Sequence, residues 1–247
     1  CGISQAIGTG GRDLSAAVGG LTMIKGIERL ARDDKTKVII LISKPPALSV
    51  ARKIFSLANE CGKPVVVNFL GAKPEVTQWG NIFEVETLEQ AAHVAVSISS
   101  GKEPSVKTLP RHPLRDTEVV GLVTNLSRTQ KFVRGLYTGG TFSYEALLLL
   151  ENDIGPVNSP SPLRKEHKLT NIWSSKGNTV LDLGDDLFTR GRPHPMIDHR
   201  LRHDRILQEA GDQETAIILL DVVIGYGSHH NPAHEVAISI NAARESA

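Results

Sequence analysis

A chain of 247 residues has room for one large domain or two ordinary ones, and its 40% apolar fraction leaves side chains for two cores. Its 28 basic and 27 acidic residues give a net charge of +1, so there is no electrostatic drive toward nucleic acid or an anionic membrane. No apolar run approaches the roughly 20 residues of a membrane-spanning helix, and Cys1 and Cys61 make no disulfide framework; the expectation is a soluble, cytoplasmic protein.

The chain opens on Cys1 instead of a Met and stops at INAARESA, directly after a helical pattern, which predicts a piece of a longer protein. Residues 3–7 read as a short strand entering the turn GTGGRD. Leu21, Ile24, Ile27 and Leu30 recur at helical spacing, and KVIILIS is a continuous β-branched run of the kind buried on both faces of a parallel sheet. ALSVARKIFSLANECG is an amphipathic helix closed by Gly62, PVVVNFLG a second buried strand, NIFEV a short strand, and ETLEQAAHVAVSIS a helix. Strands separated by helices of this length predict right-handed βαβ crossovers and a parallel sheet. The Pro- and charge-rich SGKEPSVKTLPRHPLRD reads as a linker over 100–116, dividing a first domain (1–99) from a second (117–247). EVVGLVTNLSRTQ fits either a strand or a short helix. KFVRGLYTGG then begins a second α/β stretch, and NDIGPVNSPSPLRKEHK reads as a surface loop inside it.

The two stretches resemble each other. AIGTGGRDL leads through a helix to IERLARDDKTKVIILISK, and VLDLGDDLF leads through a helix to ILQEAGDQETAIILLDVV. Both run through a Gly/Asp turn, a helix, an acidic turn and a long aliphatic strand, which predicts an internal duplication. Asp34 and Asp212 then hold corresponding places, as do Thr36 and Thr215 to within a residue.

Candidate chemistry gathers where strands end. Thr138-Gly139-Gly140-Thr141 joins an apolar strand at 133–137 to a helix. Glycines there let a ligand approach the backbone, and the free N–H groups of a first helical turn favour an anion. The alternative is a Thr cap on a Gly turn. LGDDLFTRGRPHPMIDHRLRHDRI follows another strand exit, where ligands of open α/β sheets bind. Pro193 and Pro195 stiffen His194, which suits an acid/base or anion-donor role. Arg190 and Arg192 could clamp a carboxylate or phosphate beside Asp185 and Asp186. Arg200, Arg202, His203 and Arg205 read as a solvated helix face. Arg12, Asp13 and Lys44, the last before Pro45 and Pro46, sit at strand exits of the first half. Asp221 ends a buried strand and needs an Arg partner or a place in the site. His229, His230 and His234 lack the spacing of a familiar zinc site, so no metal is expected.

The segments AIGTGGRDL, VIILISKPP, GLYTGGTFSYEA, LDLGDD, GRPHPMID and LLDVVIGYG resemble FdrA proteins, described as acyl-CoA synthetase-like, which are similar in turn to the α-subunit of succinyl-CoA synthetase. The resemblance spans nearly the whole chain. It implies two flavodoxin-like domains of CoA-ligase type, each a three-layer α/β/α sandwich on a parallel sheet. It also implies that Thr138, Gly139, Gly140 and Thr141 hold the phosphate of a phosphohistidine or acyl phosphate; His194 is the nearest substitute for the family's histidine, at a different place, and Arg190, Arg192, Asp185, Asp186 and Lys44 are expected, from their positions at strand exits, to meet a small anionic substrate. CoA, and phosphate or a nucleotide, are the cofactors so implied, within a homo- or hetero-oligomer. The chain departs from the synthetases after PVVVNFLG, where AKPEVTQWGNIFEV carries no histidine. FdrA proteins are also associated with an oxamate carbamoyltransferase of purine-nitrogen catabolism, a phosphate-dependent reaction without phosphohistidine. A degenerate scaffold domain is the non-enzymatic alternative.

Overall fold

The computed structural model describes residues 2–72, 78–104 and 116–246, and the chain divides into two compact units, residues 1–111 and 112–247. Most of the expected linker, residues 105–115, lies outside the described residues.

In the first unit the elements are α1 (Leu21–Ala31), β1 (Ile39–Ser43), α2 (Leu48–Glu60), β2 (Val65–Phe69), β3 (Gln78–Trp79), β4 (Ile82–Glu84) and α3 (Leu88–Ser99). They form a four-stranded sheet of order β1-β2-β4-β3, parallel except for the antiparallel edge β3. β2 is buried at every position because helices cover both of its faces. Met23, Ile27, Val50 and Ile54 pack on Ile39, Leu41, Val65 and Val67 on one side, and Ala91 and Val94 pack on Val66 and Phe83 on the other. α1 starts where the Asp13 carboxylate accepts the amides of Thr22 and Met23, both at 2.9 Å. α3 starts with a capping box: Thr87 Oγ1 accepts from the Gln90 amide at 3.1 Å, and Gln90 Oε1 accepts from the Thr87 amide at 3.3 Å.

The strand expected at residues 3–7 does not form. Ile3 is 88% exposed, and the segment is held by side chains instead of a ladder. Ser4 Oγ meets Thr36 Oγ1 at 2.8 Å and Gln5 Nε2 donates to Asp33 Oδ2 at 2.8 Å, so the segment lies over the turn before β1 with its amides free of any strand partner.

The second unit comprises α4 (Asp116–Thr124), β5 (Phe132–Tyr137), α5 (Gly140–Ile154), β6 (Val157–Asn158), β7 (Asn178–Asp182), the short α6 (Asp186–Thr189), α7 (Arg200–Ala210), β8 (Thr215–Leu220) and α8 (Pro232–Ser246). The ambiguous stretch after the linker is therefore a helix, and the expected surface loop contributes the edge strand β6. The sheet order is β6-β7-β5-β8, parallel throughout. On one face Leu147 of α5 packs on Val157 and Val180; on the other, Leu136 and Leu181 meet Phe188, Ile206 and Ala243. In register, Tyr137 pairs with Asp182 and Leu136 with Leu220, so β5, β7 and β8 end together. That shared edge is where three of the sequence motifs begin.

The acidic turns before β1 and β8 share one hydrogen-bond pattern, one residue away from the expected correspondence. Thr36 N donates to Asp33 O and Thr215 N to Asp212 O, both at 3.0 Å. Lys35 N donates to Asp33 Oδ1 at 3.2 Å and Glu214 N to Asp212 Oδ1 at 3.0 Å. Asp33, not Asp34, is the counterpart of Asp212.

One face of α7 also departs from the sequence reading. Arg202 and Arg205 are 1% and 3% exposed, in line with Ile206 and Glu209 along the helix, whereas Arg200 stays in solvent. Burial is tolerated because the charges are paired. Glu209 accepts from Arg134 Nε at 2.9 Å, Arg205 Nε at 2.6 Å and Ser175 Oγ at 2.6 Å, and Arg134 Nη2 reaches Asp212 at 2.7 Å. Among the described residues no helix is long and apolar enough to cross a membrane.

Candidate functional site

The turn after β5 is organised around a carboxylate that the chain itself supplies. The Thr138 amide donates to both oxygens of Asp221 at 3.1 Å, and Thr138 Oγ1 donates to Asp221 Oδ2 at 2.7 Å. Asp221 follows directly on β8, so these bonds tie the carboxyl ends of the neighbouring strands β5 and β8 together. Arg202 Nη2 donates to Asp221 Oδ1 at 2.9 Å and also to the Asp221 carbonyl. Both partners are buried, Arg202 at 1% and Asp221 at 8% exposure. Burial pulls the Arg202 guanidinium below its ordinary value, and Asp221 draws it back up. The Tyr137 hydroxyl is raised, first by burial and then by the Asp221 and Glu145 charges.

Thr138 was expected to offer its hydroxyl to an anion; the structure commits both its hydroxyl and its amide to Asp221. The following amides are different. Gly139 caps α5 in extended backbone with no side-chain cap, and among the described residues no protein acceptor meets the amides of Gly139, Gly140, Thr141 and Phe142. Gly139 faces open space and Thr141 and Phe142 are exposed. Open amides at the start of a 15-residue helix hold a partial positive charge toward solvent, which is the arrangement that favours an anion.

His194 stands against this turn. A Cβ on Gly184 would lie 2.5 Å from His194 Nε2 and 2.6 Å from the Thr138 carbonyl oxygen, so ring and carbonyl converge on the same glycine. The Met196 amide donates to His194 Nδ1 at 3.2 Å. A ring nitrogen that accepts carries no proton, so the neutral imidazole keeps its proton on Nε2, the nitrogen nearer the turn. His229 N donates to Met196 O at 2.8 Å, which pins the loop after β8 to the same Pro-His-Pro-Met stretch.

The remaining sequence candidates are placed otherwise. Asp185 caps α6 by accepting the Leu187 amide at 2.9 Å, and Asp186 and Arg190 are exposed. The Arg192 guanidinium lies over the Trp173 ring, 5.7 Å from its centroid. Lys44 belongs to the first unit, exposed in the loop that follows β1, and Arg12 is exposed there too. His199 and His229 meet edge to face at 5.4 Å, and His229 and His230 lie 4.3 Å apart. Burial, then Arg202 and His229, push the His199 imidazole below its ordinary value. Among the described residues no three His, Cys, Asp or Glu side chains gather to hold a metal. A groove of 240 Å³ lined by His199, His203, Glu235 and Ser239 runs between α7 and α8 and includes neither the turn nor His194.

Sequence reasoning asked for an Arg partner or a place in the site for Asp221; the structure supplies Arg202, which the same reasoning had put in solvent. The usable signal was spacing: Arg202, Arg205, Ile206 and Glu209 share one helical face with an apolar residue at its centre.

A family model described as CoA-ligase matches residues 136–247. The second unit carries the CoA-ligase match. It begins at the last two residues of β5 and takes in the open amides, Gly184, His194, Arg202 and Asp221. The chain is also 43% identical over 245 residues to the uncharacterized protein YahF of Escherichia coli (strain K12), an alignment covering 98% of this chain and 47% of that protein. The chain thus spans about half the length of this curated relative. The mixed α/β architecture with largely parallel sheets agrees with a CoA-ligase-type segment.

Proposed function

We propose that this chain is a component of an acyl-CoA synthetase-like ligase, of the succinyl-CoA synthetase kind, that handles an acyl phosphate or another phosphorylated intermediate. The observation that carries the reading is the row of open amides from Gly139 to Phe142, lying inside the segment that matches the CoA-ligase family. When a thiol displaces phosphate from an acyl phosphate, negative charge collects on the departing group. The amides would hold that charge, with the Thr141 hydroxyl beside them and His194 Nε2–H as a further hydrogen-bond donor, while the thiol's proton leaves with the phosphate. Arg190 stands in solvent near the His194 stretch in sequence and is assigned to the substrate's anionic end, and Asp185, Asp186, Arg192 and Lys44 are assigned to the same small anionic substrate. CoA and phosphate or a nucleotide are the ligands, and the rest of the cycle is assigned to a larger homo- or hetero-oligomeric assembly.

One observation favours a second reading. Residues 71–85, after β2, contain no histidine. A site that holds phosphate without a phosphohistidine fits the FdrA-type, phosphate-dependent carbamoyl transfer that ends in carbamoyl phosphate.

Thermal unfolding in phosphate, CoA, nucleotide, succinate and carbamoyl phosphate tests both. A ligand at about 100 times its dissociation constant adds about 2.7 kcal/mol. Stabilisation by phosphate and CoA supports the ligase, and stabilisation by phosphate and carbamoyl phosphate but not CoA supports the transferase. No shift with any ligand leaves a scaffold and refutes both.

A further inference from the structure

The open amides sit next to a carboxylate, which by itself would repel the anion they are proposed to hold. Asp221 bonds both the amide and the hydroxyl of Thr138, the residue just ahead of Gly139. Any anion on the next amides, which open to solvent, would therefore lie close to a buried negative charge, and water screens only the open side of that pair. The guanidinium that answers this charge is Arg202, fully buried on α7 and bonded to Asp221 through Nη2. Its Nε and Nη1 are buried without a hydrogen-bond partner among the described residues. Arg202 therefore meets Asp221 through Nη2 alone, at the carboxylate and at the carbonyl. What Arg202 supplies to Asp221 is chiefly charge.

We propose that Arg202 and Asp221 are positioning residues for the amide turn. Asp221 fixes Thr138 so that the amides of Gly139, Gly140 and Thr141 face outward, and Arg202 neutralises Asp221 so that an anion can approach them. In this arrangement the pair touches no substrate. It shapes the turn through Thr138 and removes a repulsion. The binding part of this inference rests on the anion-site reading above; the part concerning Thr138 does not.

Two measurements on the full 247-residue chain separate them. The first is hydrogen exchange at the Thr138 amide, with the Leu136 amide of the same strand as internal reference. In Asp221→Ala the Thr138 amide is expected to exchange at least about 10-fold faster relative to Leu136. Should that variant not fold, the doubly substituted Arg202→Met/Asp221→Ala, which leaves no buried charge unpaired, gives the same comparison. Unchanged Thr138 protection in a folded variant overturns the positioning role, whether or not any anion binds.

The second is the affinity for inorganic phosphate. Arg202→Met is expected to weaken it at least about 10-fold, since Asp221 is then uncompensated, and the deficit should shrink as salt is raised. Arg202→Met/Asp221→Asn is expected to return within about 3-fold of the unsubstituted chain, because the repelling charge has gone too. A packing role for Arg202 would predict no such rescue. A double variant as weak as the single one, or an Arg202→Met chain that binds normally, overturns the electrostatic part. If the unsubstituted chain shows no saturable phosphate binding, the anion site itself fails, and with it the electrostatic part, while the exchange experiment still decides the role of Asp221.

Discussion

Gly184→Ala is the smallest change that bears on the site's geometry. The new methyl carbon would lie 2.6 Å from the Thr138 carbonyl oxygen and 2.5 Å from His194 Nε2, where ordinary contact begins near 3.4 Å. The imidazole is the end of a side chain and can swing aside. The carbonyl is backbone, fixed by the Asp221 bonds on the same residue, and must retreat by roughly 0.4–0.8 Å to regain contact at 3.0–3.4 Å. Overpacking of this kind costs about 1–3 kcal/mol. For a unit of this size that lowers Tm by roughly 3–15 °C. Because the displaced carbonyl belongs to the turn, the amide resonances of Gly139 to Phe142 should move as well, and phosphate affinity should fall. Gly139→Ala is the matched control: its backbone is extended and its Cβ would meet nothing within 4 Å, so stability should stay within about 0.5 kcal/mol. Differential scanning fluorimetry and a two-dimensional amide spectrum are sufficient. A Gly184→Ala chain that melts with the unsubstituted one, with those four resonances in place, would refute the close packing of His194 and the turn.

Other outcomes follow from the same geometry. Glu209→Ala leaves the buried Arg134 and Arg205 without their shared carboxylate, and denaturant unfolding of the second unit should show a loss of about 3–5 kcal/mol; a loss below 1 would mean the network is not buried as described. Acid stability should fall along a defined window. Burial works against the charged Asp13 carboxylate, but the Thr22 and Met23 amides outweigh it and hold its pKa below 3.8. A depressed folded pKa contributes stability that is complete above the unfolded value and is lost as pH falls through the folded one. Asp198, held at about 2 chiefly by hydrogen bonds from the Arg200 side chain, extends that loss downward. Asp13→Asn should therefore be less stable near neutrality by about 1 kcal/mol, with the gap closing as pH falls below the ordinary carboxylate value of 3.8; a gap that is constant with pH contradicts the assignment. Gly140→Val should abolish phosphate binding by crowding the first turn of α5, and unchanged affinity would remove that turn as the site.

The elements that could be read from the sequence are those whose signal is local. β1, β2 and β8 are aliphatic runs bounded by Gly, Pro or Asp, and the helices α1, α2 and α3 carry apolar residues on one face with a recognisable cap or stop. The strand expected at residues 3–7 failed because strand formation needs a neighbour, and Ser4 and Gln5 bind the turn before β1 instead. The same dependence on distant partners hid the role of Arg202. Four charged residues over 200–205 look like a wet helix face until Asp221, nineteen positions away, is seen to meet one of them. The open amides were legible because two glycines and a helix start are a local pattern. That Thr138 is committed to Asp221 was not, since its partner comes from the end of another strand.

The account turns on whether the start of α5 binds an anion, and a phosphate titration followed by amide chemical shifts asks that directly. Saturable shifts are predicted for Gly139, Gly140, Thr141 and Phe142, with Thr138 moving least because Asp221 already holds its amide. Resonances of the turn that stay still while phosphate is added in excess, or that move only with residues far from α5, would contradict it.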